Sequence, residues 1–144
     1  MAISHYKWEL GGAPPILLRH SSVKHALLRD YLIEYLITLV SSPQQDQIRL
    51  TIIDGFCGGG RFLDEATNQE VPGSPIVILQ AIKEAEFRII QAQQRKKPLK
   101  LDIELICIDD DKRALTHLKW VLEQEGYGEQ LKNEQIKLLE GTFD

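Results

Sequence analysis

Apolar residues recur along this chain with two periods. Three short runs, Ile48 to Ile53, Leu101 to Ile108 and Ile136 to Glu140, are dense in Ile and Leu. Each is bounded by polar or turn-forming residues, and each predicts a strand. The first is too apolar and too short for a solvated hairpin strand, which would alternate, so it predicts a buried parallel strand. Between the runs the spacing becomes helical. Leu28, Tyr31, Leu32, Tyr35, Leu36 and Leu39 form one stripe, predicting a helix that starts around His20–His25 and runs to about Val40. Ser21 or Ser22 is its expected N-cap, and Ser41-Ser42-Pro43 its stop. A second stripe, Ile78, Leu79, Ile82, Ala85, Ile89 and Ile90, follows Pro72-Gly73-Ser74-Pro75. Ser74 suits an N-cap there and Pro75 a first helical position, with the end near Lys97. A third, Ala114, Leu115, Leu118, Val121 and Leu122, lies between Asp111 as N-cap and Gly126 as stop. Helix and strand alternate throughout, so the predicted class is α/β with three parallel strands and flanking helices.

The first strand opens onto Asp54-Gly55-Phe56-Cys57-Gly58-Gly59-Gly60. Glycines permit φ > 0 and let backbone N–H groups approach a ligand. In open α/β sheets ligands sit beyond the carboxyl ends of the strands. A phosphate P-loop needs Gly-Lys-Ser/Thr at its end, but Arg61-Phe62 stands here. The dinucleotide fingerprint needs Gly or Ala where this chain has Leu63, and Asp64 to Val71 is too polar and turn-like to begin a helix. A nicotinamide or flavin site and a ligand-free glycine turn remain as alternatives. The second strand ends in Asp109-Asp110-Asp111. A carboxylate at that tip accepts from both hydroxyls of a ribose. Helix capping with solvation, or a divalent metal, are the other uses of such acids. Lys24 and His25 stand in the first turn, where the helix's positive end disfavours a cation unless it meets an anionic ligand group; a solvated Lys and His pair is the alternative.

Size and charge narrow the field. The 144 residues are 43% hydrophobic and 26% charged with net charge -4, enough for one domain and without a global field for a polyanion. Arg95-Lys96-Lys97-Pro98-Leu99-Lys100 is a local basic cluster that suits a helix C-terminus and a solvated loop, with nucleic-acid contact as its other use. No apolar run reaches the ~20 residues of a membrane helix, and no signal pattern opens the chain, so no membrane partner is expected and the chain is read as cytoplasmic. Cys57 and Cys107 are far apart in sequence, in no metal spacing, and are expected as small buried thiols.

Asp54-x-Phe56-x-Gly58-x-Gly60 resembles motif I of class I S-adenosylmethionine-dependent methyltransferases, in a form similar to that of nucleic-acid amino-methyltransferases. Together with His20-Ser21-x-x-Lys24-His25 and Gly73-Ser74-Pro75, it resembles the bacterial three-Cys-motif partner protein family over residues 20–144, with residues 1–19 as an extension. A more distant similarity is to the large-subunit rRNA adenine-N6 methyltransferase family. The resemblance implies the N-terminal half of a Rossmann-like methyltransferase fold with S-adenosylmethionine held over Gly55 to Gly60. Its residues with matching positions are Lys24, His25, Asp54, Gly55, Phe56, Gly58, Gly60, Ser74 and Asp109, with Thr142 and Phe143 near the adenine. Phe56 replaces a His of the rRNA family, removing one polar contact, and Thr142 replaces an acid. The amino-acid end would lie toward Lys24, His25 and Ser74, and the ribose on Asp109. No Asp-Pro-Pro-Tyr motif for a target amine is present. The implied function is the cofactor-binding part of a methyltransferase acting on nucleic acid. The alternative is a non-catalytic partner module that kept the fold and meets a protein carrying a three-Cys motif. A three-stranded parallel sheet also predicts an exposed edge, open to completion by further chain or by self-association.

Overall fold

Three parallel strands pair side by side to form the frame on which the rest is mounted. The structure is a computed structural model and describes residues 7–40, 47–93 and 99–142. In order these form β1 (Ile16–Leu17), α1 (Arg19–Leu39), β2 (Gln47–Asp54), β3 (Arg61–Asp64), β4 (Glu70–Pro72), α2 (Ser74–Gln93), β5 (Lys100–Asp109), α3 (Lys112–Gln124), α4 (Gly128–Lys132) and β6 (Ile136–Glu140). The main sheet has the order β2-β5-β6, all parallel. The α/β class and the three predicted strands are therefore present. Arg95 to Pro98 of the basic cluster and the end of the second predicted helix lie outside the described residues, whereas Lys100 of that cluster opens β5.

The register decides which side chains are buried. Leu50, Ile103 and the pair Ile52–Leu105, with Ile136 beside Leu105, share one face. On that face they join Leu32, Ile33 and Leu36 of α1, Ile76, Ile78, Ala81 and Ala85 of α2, and Leu118, Val121 and Leu122 of α3 in one core. The alternate residues, Thr51, Ile53, Glu104, Ile106, Lys137 and Leu139, stand on the other face and are half-buried or exposed. The first strand was expected to be buried throughout. Its burial instead alternates, because the helices α1, α2 and α3 pack on the same face of the sheet. Cross-strand ion pairs occupy part of the other face, Arg49 with Asp102 at 3.7 Å and Lys137 with Glu104 at 3.0 Å. Both are solvent-exposed pairs, so water screens them and each adds little to stability. Among the described residues β2 pairs with β5 alone, so its outer edge is open.

Helix α1 departs from its predicted stripe. Leu32, Ile33 and Leu36 are its buried residues, whereas Tyr31 is 67% exposed and stacks on Tyr35. Ile33, which the spacing left out, turns inward because α1 packs along α2. The helix begins two residues before Ser21, and neither serine caps it. Its first amide, Arg19 N–H, donates to the Glu65 carboxylate at 3.0 Å. Glu65 lies in the turn between β3 and β4, a hairpin built where a polar excursion was expected. β1 adds to that hairpin in parallel with β3, and the resulting small sheet carries its own core of Trp8, Leu17, Phe62 and Ala114. The N-terminal extension thus packs on the domain and supplies the cap for α1 only through the hairpin it helps to hold. Asp111 caps α3 as predicted, accepting from Arg113 N–H at 2.9 Å. α4 fills the connection between α3 and β6.

Loss of an N-terminal side-chain cap costs about 1 kcal/mol. Glu65→Ala is therefore expected to lower unfolding free energy by about that amount in urea titration, with Ser21→Ala and Ser22→Ala each within ~0.5 kcal/mol of wild type. A larger loss from either serine variant would contradict the capping seen here.

Candidate functional site

The site is built where β2 and β5 end. Their parallel register sets Asp54 opposite Cys107, so Asp109 stands two residues further along the neighbouring strand. After Asp54 the chain turns through Gly55 and Phe56. It returns toward β5, where Cys57 N–H donates to Ile108 O at 3.0 Å. Gly58 then adopts φ +64°, a left-handed conformation that favours glycine. Its N–H points at Asp109 and donates to Oδ2 at 3.0 Å. Asp109 Oδ1 accepts from Asp111 N–H at 2.8 Å. The three consecutive acids are thereby divided: Asp109 orders two backbone amides, Asp111 caps α3, and Asp110 is exposed.

The excursion through β3 and β4 comes back to the same place, with Gly73 N–H donating to Gly60 O at 2.8 Å. This delivers the N-terminus of α2 to the tip of β2. The Ser74 hydroxyl donates to Asp54 Oδ2 in a short hydrogen bond, so Ser74 serves the site instead of the predicted cap. Asp54 Oδ1 receives Phe56 N–H at 3.4 Å. His25, in the second turn of α1, is close enough to interact electrostatically with Asp54, which in turn feels Asp109. Burial pushes the Asp54 carboxyl above its ordinary 3.8, against the lowering effect of Ser74, Phe56 N–H and His25. Burial likewise holds His25 below its ordinary 6.5, although Asp54 favours its charged form.

Of the residues singled out from the sequence, the fold gathers His25, Asp54, Gly55, Ser74 and Asp109. Phe56 projects from the turn at 79% exposure. Lys24 is exposed on α1, beside His25 in sequence. Thr142 follows Gly141, whose N–H donates to Asp109 O at 2.9 Å, and is exposed. Phe143 lies outside the described residues. Gly58, Gly59 and Gly60 are spent largely on internal packing. A Cβ on Gly59 would overlap the Trp8 ring, and one on Gly60 would meet Leu118 at 2.8 Å. Gly60 also holds φ +90°. The surface left to a ligand is therefore Asp54 to Phe56 and the Asp109 edge, narrower than the whole glycine stretch. A groove of about 440 Å³ runs from Asp54 and Gly55 along the open side of β2, walled by Tyr31 and Tyr35 of α1.

Three features of the site escaped the sequence reading. Trp8 and His117 touch the glycine loop, yet neither stands in a local pattern with it, at 51 and 58 positions from Gly59. The two thiols, 50 positions apart, hydrogen-bond to each other beneath the loop, and that bond together with burial pushes the Cys57 thiol far up. A thiol so held is protonated and unreactive. Among the described residues no group of three His, Cys, Asp or Glu side chains is gathered as a metal would require, and no helix is long and apolar enough to cross a membrane. Compared with protein-family models and with curated proteins, the chain matches neither.

The raised Asp54 carboxyl makes a signed prediction. A group whose folded pKa lies above its ordinary value stabilises while protonated, and that contribution is lost as pH rises through the raised value. Asp54→Asn stays neutral and can still accept from Ser74. It is expected to match wild type in urea unfolding below pH 3.8 and to unfold at higher urea than wild type at neutral pH. His25 acts in the opposite sense: stability is present above 6.5 and lost as pH falls through the lowered value. His25→Gln is expected to flatten that acid-side loss in the same titration.

Proposed function

We propose that this chain binds S-adenosylmethionine at the tips of β2 and β5, as the cofactor-binding part of a Rossmann-like methyltransferase domain acting on nucleic acid. One observation carries the reading. Two carboxylates, Asp54 and Asp109, end adjacent parallel strands with a helix N-terminus and its Ser74 between loop and strand. That donor set suits a zwitterion carrying a diol. Asp54 accepts from an ammonium, a gain that would offset the burial that now disfavours its charge. The N-terminus of α2, brought to Asp54 by Ser74, carries the positive end of the helix dipole and suits a carboxylate, and His25 lies near Asp54. Asp109 spends one lone pair of each oxygen on backbone N–H groups and keeps the others for two hydroxyls. The bonds to Gly58 and Asp111 then fix the carboxylate's orientation in advance, which lowers the ordering cost of binding.

The bound molecule supplies an electrophilic methyl group on sulfur. The chain's own part is to hold and aim it, since transfer depends chiefly on placing an acceptor in line with that methyl. The groove beside Asp54 and Gly55, with Phe56 at its rim, is the approach left open. A second reading, a partner module that keeps the cofactor site without catalysing transfer, draws on the exposed Val23, Leu27 and Tyr31 of α1, an apolar strip suited to protein contact.

Titration calorimetry with S-adenosylhomocysteine tests the binding claim. Wild type is expected to bind in the micromolar range. Asp109→Ala and Asp54→Ala are each expected to weaken binding by about tenfold or more, since a hydrogen bond to a charged group is worth ~1.5–3 kcal/mol. A folded wild-type chain that takes up no S-adenosylhomocysteine overturns the reading. Transfer of labelled methyl groups to RNA or DNA by a binding-competent protein separates the enzyme from the partner module.

A further inference from the structure

The glycine loop is gripped from two sides, and one side involves no residue of the proposed ligand set. On the β5 side, Gly58 N–H is bonded to Asp109. On the α3 side, the carbonyl of the next residue, Gly59, is hydrogen-bonded to His117 Nδ1. A carbonyl can only accept, so Nδ1 carries the proton and donates. His117 is 4% exposed and lies between two indoles, 5.2 Å from the Trp8 ring and 5.8 Å from that of Trp120. Trp8 is equally buried, set edge-on against Phe62 at 5.2 Å and packed with Leu17 and Ala114. Its ring fills the space that a side chain on Gly59 would need, and a Cβ on Gly58 would lie 3.4 Å from it. Burial of Trp8 in its own small core marks this as lasting packing, not a lid across a ligand surface.

We propose that Trp8 and His117 are positioning residues for the ligand loop: they fix Gly58 to Gly60 from the α3 side, keeping Gly58 N–H on Asp109 and the Asp109 carboxylate in one orientation. The function rests on the S-adenosylmethionine reading above, but the positioning itself does not. It makes the segment before α1 part of the site although that segment touches no ligand. It also explains the three consecutive glycines: Gly58 takes the left-handed turn, Gly59 admits the indole and Gly60 admits Leu118.

Hydrogen exchange of the loop amides, read alongside S-adenosylhomocysteine affinity, tests it. In Trp8→Ala and His117→Leu, exchange of amides 57–60 is expected to rise about tenfold or more, a local opening easier by ~1.4 kcal/mol, while the β5 amides of residues 103–107 keep their protection. S-adenosylhomocysteine affinity falls in the same variants. His117→Asn places an N–H donor at a similar reach from the backbone and is expected to restore both. Trp8→Phe keeps an aromatic ring in the small core and provides a folded comparison, with partial loosening of the loop. Unchanged loop exchange in His117→Leu, or loosening in His117→Asn equal to that in His117→Leu, overturns the proposal. So does tighter S-adenosylhomocysteine binding by Trp8→Ala, which would make Trp8 an obstruction. Should wild type bind no S-adenosylhomocysteine, the cofactor reading fails alone, and loop exchange still decides the positioning claim.

Discussion

The parallel register between β2 and β5 is the constraint on which the site depends. Eight consecutive residue pairs run from Gln47–Lys100 to Asp54–Cys107, and a slip of one residue would turn every β2 side chain to the opposite face. Ile52 would leave the core and Ile53 would enter it. Asp54 would lose its place beside Ser74, and the turn after it could no longer bring Cys57 N–H onto Ile108 O. Core packing specifies the register, and the register in turn places the two carboxylates at the ends of neighbouring strands.

The glycine loop follows from that placement. Between the end of β2 and the start of β3 the chain must pass β5, α3 and the N-terminal segment within six residues. A side chain at Gly59 would collide with Trp8, and one at Gly60 with Leu118. Glycine's usefulness here lies in steric clearance as much as in amide exposure. The same crowding accounts for the buried thiol pair: Cys57 and Cys107 meet where loop and strand touch, and small apolar side chains are what fits there.

Asp54 and His25 show what this geometry costs. Both sit where burial disfavours their charged forms, and neither contributes to the core. Residues that weaken the fold yet converge with Ser74 and Asp109 at the carboxyl end of a parallel sheet are the pattern expected of a binding site. The arrangement of the remaining molecule is consistent with this. α1, α2 and α3 cover one face of the sheet, and the open edge of β2 borders the groove that leads to Asp54.

The amino-acid sequence by itself determined the local elements and the chemistry at their ends. Aliphatic runs marked β2, β5 and β6, the spacing of Ala114, Leu118 and Val121 marked α3, and Asp111 marked its cap, because each of these signals lies within a few neighbouring residues. Asp54, Ser74 and Asp109 were legible for the same reason: an acid or hydroxyl at the junction of an apolar run and a turn is a local pattern. What required the tertiary structure was every decision made by distant partners. Ile33 instead of Tyr31 faces inward because of where α2 lies. Glu65, 46 positions away in sequence, caps α1 in place of its own serines. The strands are covered on one face because three helices pack together. Trp8 and His117 meet Gly59 only once β1, the hairpin and α3 converge. No periodicity along the chain encodes such meetings, since their energy comes from surfaces and hydrogen bonds that exist only after the chain has folded.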